Sequence, residues 1–151
     1  MIKKARIMAI DDDQDILNLI NNFFSTRGYD VDLYTEAQQA LTDIAENNVS
    51  CDVIITDLLL PGISGIEFTK KVKLQGVNTP IVLITANKKI EIAVDAIRAG
   101  AYDFVVKPIN FPQLLLSVER ALRLSKVKEE VQTLKTAVQL RAAIFITVKK
   151  I

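Results

Sequence analysis

The chain has 151 residues, of which half are apolar and a quarter charged, with five glycines and four prolines. This is enough for one domain with a buried core plus a modest appendage, and it excludes wholesale disorder and collagen-like repeats. A single cysteine, Cys51, excludes an internal disulfide, and the lack of histidine removes histidine-based triads and most zinc sites. The net charge of +1 conceals a division, with −4 over residues 1–110 and +5 over residues 111–151.

The opening MIKKARIMAIDDD turns acidic too soon for a secretory signal, and no apolar run approaches the roughly 20 residues of a membrane span. A soluble, cytoplasmic protein is expected. Short β-branched runs follow at Arg6–Ile10, Val31–Tyr34, Val53–Thr56, Ile81–Thr85 and Phe104–Val106. Between them the apolar residues take helical spacing, as in Ile16, Leu17, Ile20 and Phe23–Phe24. Five strands alternating with helices imply an α/β domain with a parallel sheet. The continuous apolar character of VIIT and IVLIT predicts a sheet covered on both faces. Gly28, Gly76 and Gly100 stand where the first, third and fourth helices should end. From Phe111 one long helix signal runs at least to Leu140, and the β-branched AAIFITVKKI beyond it reads as a frayed end or a strand of a further domain. A basic helix of this kind is more often solvated than bound to nucleic acid.

Acidic and polar residues collect where the strands end. The first strand runs into Asp11-Asp12-Asp13, the third delivers Asp57, the fourth ends in Thr85-Ala86 and the fifth in Lys107-Pro108. In an open parallel sheet these positions converge on one crevice beyond the carboxyl ends of the strands. Clustered carboxylates repel one another, and a hard divalent cation such as Mg²⁺ resolves the conflict. Asp57 could then attack phosphorus as a carboxylate nucleophile, with Mg²⁺, the Lys107 ammonium and the Thr85 hydroxyl balancing the phosphoryl oxygens. Taken singly, each residue has a plainer reading. Asp11–Asp13 could cap a helix starting near Gln14, Asp57 could be a turn residue, Thr85 a strand-end core residue and Lys107 a solvated lysine. Asp13 and Asp15 are expected only to start that helix.

The motifs IMAIDDDQDI, VIITDLLLPGISG, IVLITA and GAYDFVVKPI, in this order, resemble the receiver domain of two-component response regulators over about residues 4–122. The resemblance implies a flavodoxin-like, doubly wound sheet of strand order 2-1-3-4-5. It implies Asp57 as phosphoacceptor, and Asp11, Asp12, Asp57 and the Leu59 carbonyl as Mg²⁺ ligands. Thr85 and Lys107 become phosphate contacts, Phe104 the switch aromatic paired with Thr85, and Lys107–Pro108 a cis peptide. The implied donor is a sensor histidine kinase or phosphotransfer protein. Such a domain is a phosphoacceptor with weak autodephosphorylation and no metabolic enzyme. Leu59 cannot orient an attacking water, which leaves Asn87 as the polar candidate. A carboxylate-nucleophile phosphohydrolase is the alternative, but it wants a second acid where Leu59 stands. An FMN-binding protein would want a phosphate loop where Asp11–Asp13 stand.

The chain divides into a receiver over residues 1–122 and a helical extension over 123–151. A receiver followed by a long helix resembles the N-terminal part of bacterial enhancer-binding activators, so the extension could be a linker and DNA would be reached only through an output domain outside this sequence. Leu124, Val127, Val131, Leu134 and Val138 follow coiled-coil spacing until Arg141, which predicts a homodimer through residues 124–138.

Overall fold

A computed structural model describes residues 4–149. The strands are β1 (Arg6–Ile10), β2 (Asp30–Tyr34), β3 (Val53–Asp57), β4 (Ile81–Thr85) and β5 (Asp103–Val106). They alternate with α1 (Gln14–Ser25), α2 (Ala37–Glu46), α3 (Gly65–Leu74), α4 (Ile90–Ala99) and α5 (Phe111–Lys149). All pairings are parallel and the order is β2-β1-β3-β4-β5. The flavodoxin-like expectation holds.

Strand alternation divides the core into two layers. Ile7, Ala9, Val53, Ile55, Val82 and Ile84 face Leu17, Ile20 and Phe24 of α1 and Leu114, Val118 and Ala121 of α5. Met8, Ile10, Ile54, Ile81 and Leu83 face α2, α3 and α4 through Ala40, Phe68, Val72 and Ala96. Every residue of β3 and β4 is buried, which is why VIIT and IVLIT carry no polar alternation.

Helix ends follow local chemistry. Asp13 caps α1 by accepting the Asp15 N–H, and Ser64 caps α3 by accepting that of Glu67. Gly100 caps α4 at φ 110°, a left-handed conformation that a side chain disfavours. α1 and α3 stop at Ser25 and Leu74, short of Gly28 and Gly76, which turn the chain into the next strand.

α5 departs from expectation at its far end. AAIFITVK is helical to Lys149, whereas Lys150 and Ile151 lie outside the described residues. Propagating an established helix needs no new nucleus, and each β-branched residue costs only about 0.5 kcal/mol relative to alanine.

Gly65 positions the end of β3. Its N–H donates to the Leu58 carbonyl at 2.8 Å, and a Cβ here would lie 2.9 Å from Leu83 Cδ2, against the Asp57 carbonyl oxygen and Leu58 Cα. The backbone cannot yield without moving Asp57. Gly65→Ala is expected to cost about 1–3 kcal/mol by overpacking, measurable as a lower urea midpoint at unchanged slope.

Candidate functional site

Asp11, Asp12 and Asp57 meet at the carboxyl edge of the sheet because β1 and β3 are hydrogen-bonded neighbours, with Ile10 opposite Thr56. One carboxylate oxygen from each lies within 4.8 Å of the others. Ligands around Mg²⁺, held at about 2.1 Å, are separated by roughly 3–4 Å, so small side-chain adjustments suit this set to one hard cation. Asp12 is exposed, whereas Asp11 and Asp57 are buried. The all-oxygen donor set fits the ion that the sequence suggests.

Lys107 balances the two buried acids. Its Nζ lies 3.0 Å from Asp57 Oδ2 and 3.3 Å from Asp11 Oδ2. Burial alone would push its ammonium down, but the hydrogen bond and charge of Asp57, helped by Asp11, outweigh it and raise the pKa. Burial pushes the Asp11 carboxyl up, Asp57 adds to this, and the Asp13 N–H donating to Asp11 Oδ1 at 2.9 Å opposes it. Asp13 therefore orients Asp11 as well as starting α1, a second task hidden within the DDD run. The Asp11 N–H donates to the Tyr34 carbonyl at 3.0 Å, which fixes the loop against β2.

The raised Asp11 pKa gives a signed prediction. A carboxyl that binds its proton more tightly in the folded chain costs stability when ionised, and the cost fades as pH falls towards the unfolded value near 3.8. Asp11→Asn should stabilise the metal-free protein at pH 7, with the gain shrinking towards pH 4. Urea unfolding in chelator at the two pH values checks this. The same variant should bind Mg²⁺ more weakly.

The remaining predicted residues line the same edge. Thr85 ends β4, buried to 2% exposure, and its Oγ1 accepts the Asn87 N–H at 2.9 Å. Its carbonyl accepts the Lys107 N–H at 2.7 Å, tying β4 to the Lys107 loop, whose Lys107–Pro108 peptide is cis. Phe104 pairs with Leu83 on β4, two residues before Thr85, and is half-buried in the α2–α3–α4 layer. Leu59 is 68% exposed, and its N–H donates to Asp57 Oδ1 at 3.3 Å. The Asn87 carboxamide oxygen accepts the Lys89 N–H at 3.0 Å. Gly65, eight residues after Asp57, is the positioning residue that sequence reasoning passed over.

The family model of the response regulator receiver domain matches residues 7–119. The chain belongs to the receiver-domain family of two-component response regulators. It is 33% identical over 132 residues to the regulatory protein AtoC of Escherichia coli, covering 87% of this chain and 28% of AtoC. It is 35% identical over 135 residues to the nitrogen assimilation regulatory protein NtrX of Azorhizobium caulinodans, covering 88% and 29%. Among solved structures, NtrX from Brucella abortus in complex with ADP superposes with TM-score 0.80 at 36% identity, covering 87% of this chain and 30% of that one. The Francisella response regulator 1452 receiver domain superposes at 0.76 and 26% identity, covering 81% and 99%. The chain thus spans less than a third of AtoC and NtrX but nearly matches an isolated receiver domain. Nothing in these likenesses supports the phosphohydrolase alternative. Among the described residues, no helix is long and apolar enough to cross a membrane.

Proposed function

We propose that Asp57 accepts a phosphoryl group from a sensor histidine kinase or phosphotransfer protein, and that this changes the protein contacts made by the chain. The observation that carries the reading is the meeting of Asp11, Asp12, Asp57 and Lys107 at one sheet edge. An Asp57 oxygen forms a bond to phosphorus as the donor's phosphorus–nitrogen bond breaks, leaving an aspartyl phosphate. Asp11, Asp12, Asp57 and the Leu59 carbonyl would hold Mg²⁺, which when bound supplies positive charge to the phosphoryl oxygens. Lys107, already at Asp57, supplies a second cation, and Thr85 supplies a hydroxyl donor.

Phe104 would follow Thr85 and alter the α4–β5 face. Loss of the phosphoryl group should be slow, because Leu59 is apolar and the Asn87 carboxamide oxygen is engaged with Lys89. Residues 1–122 form the receiver on this reading. Residues 123–151 serve as a linker whose 124–138 stripe pairs with a second copy, in the cytoplasm and ahead of an output domain that acts in transcription. The exposure of Leu124, Val127, Val131, Leu134 and Val138 on α5 supports that pairing.

Incubating the full chain with Mg²⁺ and an acyl phosphate should add one phosphoryl group by mass spectrometry, and Asp57→Asn should abolish the uptake. The amide has no anionic oxygen to attack phosphorus. Undiminished uptake by Asp57→Asn would overturn the assignment.

A further inference from the structure

We infer that Asn87 is a positioning residue which ties the Thr85 hydroxyl to the first turn of α4. This rests on the reading of Asp57 as phosphoacceptor. Two hydrogen bonds form the tie. Thr85 Oγ1 accepts the Asn87 N–H at 2.9 Å, and Asn87 Oδ1 accepts the Lys89 N–H at 3.0 Å. Lys89 is the N-cap of α4 and makes no side-chain cap of its own, so the Asn87 carboxamide stands in as the polar anchor of that helix start.

The Thr85 backbone is held by β5, opposite Val106 and with its carbonyl accepting the Lys107 N–H, and it directly follows the Asp57–Ile84 pair. A response to charge at Asp57 must therefore come from the side chain. Changing between staggered wells carries a threonine oxygen about 2 Å, further than a 2.9 Å hydrogen bond can stretch. Asn87 N–H then loses its partner unless the loop follows, and Asn87 Oδ1 draws Lys89 along with it.

What lies at the end of the tie is easily moved. Ala86, Lys88 and Lys89 are exposed. Ala96 is the one buried residue of α4, against three in α1, three in α2 and four in α3. Its first turn carries Ile90 at 79% exposure and no fully buried side chain. A helix start with so little packing opposes displacement weakly. The relay therefore runs from the end of a fully buried strand to the least anchored of α1–α4.

The test is NMR of the full chain with Mg²⁺ and beryllofluoride, which mimics a phosphoryl group. In the wild type the amides of Leu58, Lys107, Asn87, Lys89 and Ile90–Ala93 should all shift. In Asn87→Ala the Leu58 and Lys107 responses should persist, while those of Ile90–Ala93 fall to less than about half, because the Lys89 N–H has lost its acceptor. Asn87→Asp or Asn87→Ser, which keep an acceptor oxygen, should restore them. Full α4 shifts in Asn87→Ala, or no rescue by either variant, would overturn the relay and leave the phosphoacceptor intact. No response at Leu58 and Lys107 in the wild type would overturn both.

Discussion

Lys107→Met is expected to destabilise the metal-free protein by about 2 kcal/mol, and Mg²⁺ should return most of that loss. Breaking a fully buried ion pair costs roughly 3–5 kcal/mol, but the Lys107 side chain keeps 21% exposure, so water moderates the penalty. Asp11 and Asp57 would be left buried with no cation among the described residues bonded to them. The sign with pH is fixed. A lysine whose pKa is raised contributes stability that is complete below the ordinary value of 10.5 and is lost as pH climbs past the raised one. The gap between wild type and variant should therefore be full at pH 7 and close in strong alkali. The ammonium also competes with a metal for Asp11 Oδ2 and Asp57 Oδ2. Its removal should tighten Mg²⁺ binding by about tenfold while abolishing the phosphoryl-induced change. Urea unfolding with and without Mg²⁺ and a metal titration measure both effects. A variant as stable as the wild type in chelator would refute the charge balance drawn here.

Val131→Lys combined with Leu134→Lys is expected to convert a dimer into a monomer. In a parallel pair these residues sit at adjacent seam positions, each burying about 2 kcal/mol of apolar side chain against its mate. Lysine removes that gain and sets like charges face to face, so dissociation should rise by more than about a hundredfold. Were the pairing to continue along the helix past Arg141, Phe145 would fall at its next seam position. Sedimentation of both proteins at high micromolar concentration gives the answer, and a monomeric wild type would sink the seam.

The sheet was legible because β1, β3 and β4 are almost wholly buried, which leaves short continuous apolar runs in the chain. The acids were legible for a related reason. Asp11 and Asp57 follow those runs directly, so locating the strands also located the residues past their ends. Gly65 closes the motif VIITDLLLPGISG, yet its task was not legible there, since it lies in a close approach between α3 and the backbone of Asp57 that only tertiary packing creates. Nor could it assign Asn87, whose carboxamide meets the Lys89 N–H only once the start of α4 is in place. The end of α5 is helical against its composition because β-branched preference is weak and local, overridden here by the helix already formed behind it.

α5 also makes the molecule a lever. Ala121 is the last fully buried residue of α5 among the described residues, and Lys149 stands about 42 Å further along the axis at 1.5 Å per residue. A tilt of only about 5° where the helix leaves the sheet would swing that distant end by nearly 4 Å, about the width of a carbon–carbon contact. Any slight rearrangement that tilted this exit would gain mechanical advantage along the shaft. Whatever grips the far end reads an angle as a distance.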